Sequence, residues 1–565
     1  MARNNWHLPW EQYVETLKPH ERPMVPGSPA TPDHSWHSRL IYGLIGVMIA
    51  TVGGMGNAAI TANVQSLQGS LGITTTEAAW LPVVFVMTNA CMNLILVKFR
   101  MQYGLRLFSQ IFLGVFVLVC AAHLFVDNYQ STLLVRCVAG MAGAALNTLG
   151  FLYLIQAFPA AHRLKGLIIG IGLTSFTVPT ARLIMPSLLQ IDDWHAFYLY
   201  ELGMCLIAWA AVQLIKLPPS EKTRVFERLD FVTFALFAPG VALLCAVLGL
   251  GRIVWWTEAA WIGWALIGSI ILLTAAITIE HNRTNPLINT RWLSGPDLLR
   301  LFGAILLIRI VLSEQTSGAV GFLTVVGLGP DQLMGLFGVI LAAMIAGTAV
   351  SAFTLNMAKL NKPIAIALGL IAIGAFMDSH STLLTRPAQL YVSQALLAFA
   401  SAMFIGPALM IGVVKIMTQG KENLISFIVM FSVFQNVGGL AGSALTGSLQ
   451  IIREKFHSNQ LAADITAMDP QVALRLRQLS GAYGSTITDP ALKNAEGVAL
   501  LSRQVTQQAN VLAYNDVFLI IAVMAAIGCA WVTLTHLRPR WQAQRIARQT
   551  ASQAPEPSAV AAAVD

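Results

Sequence analysis

Residues 298–322 read LLRLFGAILLIRIVLSEQTSGAVGF. A membrane-spanning helix needs about 20 apolar residues. This run is long enough, yet it carries Arg309 and Glu314. A charge near the bilayer centre costs about 2.5–3.5 kcal/mol on insertion scales, so such side chains face protein or a wet cavity rather than lipid. Glu314 also lies in a polar turn, Ser313-Glu314-Gln315-Thr316-Ser317, which a lipid-facing helix would not tolerate. Arg309 and Glu314 are five residues apart, about 140° around a regular helix, so without a local break their partners must come from other helices. The stretch predicts a bundle of membrane helices with a buried polar layer.

The bulk properties extend that reading to the whole chain. Of 565 residues, 56% are hydrophobic and 11% charged, with mean hydropathy +0.66. A soluble domain carries about 25% charged residues. The deficit runs along the entire chain, so the expected class is an all-α polytopic membrane protein. The excess of 35 Lys+Arg over 27 Asp+Glu does not point to nucleic acid, because the basic residues cluster in short loops between apolar runs. The six cysteines all fall in apolar runs and read as small core residues, without disulfide or metal spacing. There is no phosphate loop, no metal-ligand spacing and no nucleophile–base set, so neither an enzyme nor a cofactor or metal is expected. The energy source is then an ion gradient.

Fourteen spans are expected, near 39–61, 79–98, 105–126, 131–156, 165–188, 194–216, 230–250, 259–279, 298–322, 331–355, 363–379, 388–414, 424–450 and 513–536. An even count puts both termini on one side. With that side cytoplasmic, residues such as Lys98, Arg100, Arg163, Lys165, Arg283 and Lys415 fall inside, and the short outer loops hold only Arg252 and Arg386. The expected divisions are a cytoplasmic segment 1–38, a six-helix bundle 39–216, an inserted helix pair with its linkers 217–297, a second six-helix bundle 298–536, and a cytoplasmic tail 537–565 that is disordered after Arg548. In the first segment Trp6, Trp10, Tyr13, Val14 and Leu17 recur at helical spacing, which fits an interfacial helix or a disordered lead-in up to Pro32. The outer loop 451–512 alternates apolar and polar residues and predicts short amphipathic helices outside the membrane. Trp194, Trp255, Trp256 and Trp292 read as interfacial anchors.

A faint repeat relates LLVRCVAGMAGAAL from Leu133 to LLAFASAMFIGPAL from Leu396, placing Gly143, Ala145 and Leu146 on Gly406, Ala408 and Leu409. Two related halves with a site between them are the common construction of secondary transporters.

Several motifs then occur in order. They are Arg136-x-x-Ala139-Gly140-x-x-Gly143, Trp194-His195-x-x-Tyr198, Arg228-Leu229-Asp230-Phe231, Glu280-x-x-Arg283-x-Asn285-Pro286-Leu287-Ile288, Gln435-Asn436-Val437-Gly438-Gly439-x-x-Gly442, and Phe456-His457 with Gln508-Ala509-x-x-x-Ala513-Tyr514-Asn515-Asp516-x-Phe518. Together they resemble the major facilitator superfamily, and within it the fourteen-helix drug:proton antiporters of the EmrB/QacA type, over nearly all of residues 40–536. The resemblance implies a major facilitator fold of two six-helix bundles plus an inserted pair. It also implies proton-coupled export of amphipathic small molecules from a bacterial inner membrane, with the long outer loop docking a periplasmic adaptor of a tripartite pump. Three departures stand out. Where the family's first helix usually has an Asp, this chain reads Met55-Gly56-Asn57-Ala58. The loop after the second helix, Val97-Lys98-Phe99-Arg100-Met101-Gln102-Tyr103-Gly104-Leu105-Arg106, lacks the family's acid. The fifth-helix motif becomes Val178-Pro179-Thr180-Ala181-Arg182.

Five ionisable residues fall well inside the expected spans: Arg136, Arg182, Glu201, Arg309 and Glu314. Glu314 and Glu201 are the candidate proton-coupling acids, and the three arginines would line a charged cavity; the alternative is that all five only fix helix packing. The altered fifth-helix motif would also suit an importer or symporter on the same fold, and the excess of arginine an exporter of an anionic metabolite. Asn57, Thr61, Asn89, Asn93, Gln435 and Asn436 are candidate pathway residues or helix-to-helix hydrogen bonders. The glycines among these motifs read as close-packing positions.

Overall fold

The computed structural model describes residues 9–552 except 24–26, 127, 160–161, 189–193, 467 and 483. In chain order the long helices are α1 (Trp36–Ala62), α2 (Thr75–Tyr103), α3 (Leu105–Ala122), α4 (Tyr129–Gln156), α5 in two legs (Arg163–Ser175 and Thr177–Leu188), α6 (Trp194–Leu214), α7 (Arg228–Val254) and α8 (Ala260–Asn282). They continue with α9 in pieces (Pro296–Val311 and Ala319–Val325), α10 (Met334–Phe353), α11 (Asn361–Asp378), α12 (Tyr391–Gln419), α13 (Leu424–Asp464) and α14 (Pro490–Ser552). Among the described residues the only strand-like pairing is an isolated bridge between Pro29 and Ser220.

Local chemistry sets where these helices begin. Thr74 and Glu77 form a capping box at α2, with the Thr74 N–H donating to Glu77 Oε2 at 2.8 Å. Asn128 Oδ1 accepts from Ser131 N at 2.9 Å at the start of α4. Gly104, at φ +85°, reverses the chain between α2 and α3 in a conformation that other residues resist.

Twelve of the helices are long and apolar enough to cross a membrane, and α5, bent by 42° between its legs, makes thirteen. The fourteenth expected span, α9, is interrupted by one π-helical turn at Glu314–Gly318, and neither flanking piece spans a bilayer alone. Fourteen spans are therefore compatible with the structure, and the polar turn that marked this segment in the sequence is the reason its helix breaks.

Helices α1–α6 pack among themselves, as do α9–α14, while α7 lies against both α2 and α13. The two sets meet along α2 with α13 and along α5 with α10 and α12. Their largest common core includes Leu94, Ile168, Phe302, Ile308, Phe404 and Phe427. The loops gather on two faces. One, the basic face, carries 216–228 and 283–297 against the end of α2 at 98–103; the other, the lobe face, carries 451–512.

Three local expectations change. The long outer loop is not a string of short helices. Its two ends are continuations of α13 to Asp464 and of α14 from Pro490, and among the described residues one further helix, Pro470–Gly481, lies between them. Gln450 bonds Asn510 at 2.6 Å, and Arg453 and His457 both reach Asp516 at 2.6 Å, so the two extensions are held side by side as a lobe. The amino-terminal segment carries a helix at Trp10–Glu15, with Tyr13, Leu17 and Ala30 buried together. It is fastened by Gln156 Nε2 to the Ala30 carbonyl (2.9 Å) and by Arg163 to the Thr31 carbonyl (2.8 Å). Trp194, read as an anchor, is instead 5% exposed within a core of Ala59, Leu81, Ala181 and Phe197. Trp6 and the tail beyond Ser552 lie outside the described residues, and α14 continues four residues into the stretch read as disordered.

Candidate functional site

Ionisable side chains inside the bundle gather in two places, one in each set of six helices. In the first, α1 approaches α4 and α6 through small residues. A Cβ on Gly56 would overlap the Glu201 carboxylate, so only glycine lets that acid come up against α1. Arg136 of α4 is 1% exposed. Its Nη2 donates to Asn57 Oδ1 at 2.6 Å, its Nε to the Leu81 carbonyl at 3.4 Å, and its guanidinium lies 4.9 Å from the Phe85 ring centroid. Asn57, standing where the family usually has an acid, thus offers the cation an amide oxygen. Glu201, 4% exposed, acts on Arg136 through charge and makes no hydrogen bond among the described residues. Thr51, Val52, Met55, Tyr200 and Met204 line a small void beside it. His123 stacks on Tyr198 at 4.9 Å nearby, both of its ring nitrogens buried without a partner among the described residues.

The second place is in α9, α11 and α12. Glu314 is fully buried at the head of the π turn, Asp378 is the last residue of α11 at 2% exposure, and Gln394 of α12 lies between them, also fully buried. Gln394 Nε2 donates to Glu314 Oε1 and Oε2 at 3.1 and 3.3 Å and to Asp378 Oδ2 at 2.7 Å. The two carboxyls thus meet at one amide nitrogen, while the neighbouring Ser393 hydroxyl donates to the Leu390 carbonyl at 3.0 Å. Gln315 Nε2 donates to the Gln394 main-chain carbonyl at 3.0 Å, tying the π turn to α12. The break in α9 is what turns Glu314 toward these partners.

The remaining candidates lie elsewhere in the bundle, some within one set of helices and some between the two. Arg309 does not meet Glu314; its Nε donates to the Gln435 main-chain carbonyl at 3.1 Å, and its side chain lies over Gly438 and Gly439, where a Cβ would crowd it. Asn93 reaches across the two sets of helices to Ser432 Oγ at 2.9 Å, and Asn436 bonds the same serine at 3.4 Å. Asn89 donates to the Gly140 carbonyl at 3.3 Å. Arg182 sits 5.0 Å from the Phe337 ring centroid, a contact between α5 and α10. Thr61 is exposed, and its hydroxyl returns to the Asn57 carbonyl within α1.

The structure therefore joins Asn57 to Arg136, Asn93 to Asn436 through Ser432, and Arg309 to Gln435, and it keeps Arg309, Glu314 and Arg182 apart. Asp378 and Gln394 went unremarked in the sequence. Asp378 ends an apolar span at FMDSHS, where an acid reads as the first loop residue, and only its neighbours reveal its burial. With Asp378 included, the acids named here are as many as the arginines, three of each.

A further charged network lies at the basic face. Lys98 Nζ and Arg283 Nη2 bind Asp230 at 2.6 and 3.0 Å, and Arg283 also pairs with Glu280 and Glu227, each at 2.7 Å. Burial opposes the Arg283 charge, but the hydrogen bonds it donates to Glu280, Glu227 and Asp230 outweigh it and hold the guanidinium above its ordinary range. Glu280 also accepts from Thr233 Oγ1 and from the main-chain N–H groups of Leu287 and Ile288. Two of the motifs read in the sequence are thus one clamp, joining α7 and α8 to α2.

Residues 45–443 match the family described as the Major Facilitator Superfamily. The chain is 21% identical over 491 residues to the multidrug export protein EmrB of Escherichia coli strain K12, covering 83% of this chain and 90% of that one. It is 24% identical over 495 residues to the probable multidrug resistance protein EmrY of the same strain, covering 84% and 90%. Among solved structures, tetrameric PepTSo2 superposes with a TM-score of 0.54 at 11% identity, covering 89% of this chain and 99% of that one, a likeness of fold alone.

Proposed function

This chain belongs to the major facilitator superfamily, a family of transporters rather than enzymes, and we propose that within it the protein is a proton-driven exporter of amphipathic small molecules. Similarity to EmrB and EmrY along more than four-fifths of the chain supports export of a drug-like substrate. The observation that carries proton coupling is the pair of buried acids, Glu314 and Asp378, which share one amide donor and have no hydrogen-bonded cation among the described residues. A carboxyl kept in such a place at several kcal/mol of desolvation is a functional feature by default. In this reading the basic face is cytoplasmic, both termini lie inside, and the substrate passes between the two six-helix sets near Arg136, Arg309 and Asn93.

The lobe is the proposed adaptor-docking element. The α13 and α14 extensions project from the bundle, and Met468, Leu474, Leu492 and Val498 on the lobe are all more than half exposed. A second reading is favoured by Arg309, whose one hydrogen bond among the described residues goes to a main-chain carbonyl: the substrate is then an anionic amphiphile that supplies the missing counter-charge.

Reconstituted protein decides among these. With an imposed pH gradient, vesicles should concentrate a fluorescent amphiphile, and a protonophore should collapse the accumulation. Accumulation that ignores the gradient defeats the coupling reading. Competition by anionic rather than cationic amphiphiles selects the second substrate class. Deletion of 455–505 should leave substrate binding intact and abolish export in cells; intact export would exclude the adaptor role.

A further inference from the structure

Glu314 and Asp378 are two buried carboxyl groups served by one amide nitrogen, Gln394 Nε2. An ionised carboxylate offers only acceptors, and two of them facing a single amide donor repel one another unless one keeps a proton. Among the described residues no cation is bonded to either carboxyl. Asp516 of α14 is engaged with Arg453 and His457 of α13. Arg309 is on the Gln435 carbonyl. Arg386, ahead of α12, holds the Leu383 and Thr385 carbonyls, and His380 is exposed and bonded to the end of α11. Phe518 of α14 closes the site beside Gly318.

Gln394 supplies the second observation. Its amide nitrogen serves both acids, while its Oε1 is buried with no partner among the described residues. Buried polar atoms rarely go unpaired. Turning the amide over would aim Oε1 at the carboxyls, where a protonated acid can donate to it. One glutamine can therefore present donors to an ionised carboxyl or an acceptor to a protonated one. The location is the third observation. Asp378 ends its helix, and the exposed His380 follows two residues later on the lobe face, so the protein layer between the pair and solvent is thin.

We propose that Glu314 and Asp378 form one proton-binding site, a single exchangeable proton held between two carboxyls with Gln394 as the positioning residue. Its use as the coupling site rests on the proton-driven reading above; the shared proton does not.

Infrared spectroscopy of the full-length protein in detergent tests it. At neutral pH the wild type should show the carbonyl stretch of a protonated, solvent-shielded carboxylic acid. That band should shift on transfer to heavy water, disappear in E314Q/D378N, and persist in E201Q. Each single variant, E314Q and D378N, should move the band, which keeps the test decisive if the double variant folds poorly. Q394L should retain the band at a different frequency, a change that a purely structural role would not produce. The proposal is overturned if the wild type lacks the band, if the band ignores both single variants, or if it fails to exchange in heavy water. Should the band behave as expected while transport ignores the pH gradient, the coupling reading falls and the proton site stands.

Discussion

The two six-helix sets solve the same problem with opposite ends of the same group. In the first, an amide oxygen, Asn57 Oδ1, solvates a buried cation, Arg136. In the second, an amide nitrogen, Gln394 Nε2, solvates a buried pair of acids. The consequences differ because the charges differ. A guanidinium cannot shed its proton under any physiological condition, so Arg136 stays charged whatever the state of Glu201 beside it. A carboxyl pair can hold or release a proton, so the second site can change state. On this contrast the first set offers a fixed electrostatic post and the second a switch.

The largest test of the contrast is Asn57→Leu. It removes the best oxygen from a charge that cannot neutralise itself, and uncompensated buried charges cost about 3–5 kcal/mol. A large loss of thermal stability in detergent, independent of pH, is expected; near-neutral behaviour would mean that Glu201 already compensates Arg136. Gln394→Leu should cost less, about 1–3 kcal/mol, the range for leaving buried polar groups without a donor. Its deficit should shrink as the pH falls, because two protonated carboxyls can satisfy one another while two ionised ones cannot. A deficit that grows on acidification would refute the switch description of the second set. The smallest effect is expected at the seam: Ser432→Ala removes the hydroxyl shared by Asn93 and Asn436 and should cost about 0.5–1.5 kcal/mol, the net worth of a typical hydrogen bond. A much larger loss would show that the seam, rather than either charged site, holds the two sets together.

The fold was largely legible because its signals are one-dimensional. Apolar runs of bilayer length, loop arginines and lysines, and motifs such as Arg228-Leu229-Asp230-Phe231 are strings that keep their meaning without tertiary contacts. The charged candidates were legible too, since a lone Arg136, Glu201, Arg309 or Glu314 in an apolar run is conspicuous. Their partners were not. Asp378 sits at a helix end, where an acid is ordinary, and Gln394 is a neutral residue in an apolar helix; nothing local distinguishes either from a loop or packing position. The lobe illustrates the same limit, since amphipathic spacing predicted helices in 451–512 but could not show that two of them continue α13 and α14.

By itself, then, the sequence determined that this is a many-helix membrane transporter scaffold with a few costly charges inside, because hydrophobic length and charge rarity act residue by residue. Only the tertiary structure decided what those charges do to one another. Arg309 and Glu314, about 140° apart on a regular helix, stay apart, and Glu314, at the head of the π turn, meets α12 and the end of α11. Contacts between residues 16 and 80 positions apart, Gln394 with Asp378 and with Glu314, then convert a solitary acid into half of a pair. The reason is physical: a buried group's charge state is set by the atoms within a few ångströms of it, and in a helical bundle most of those atoms come from other helices.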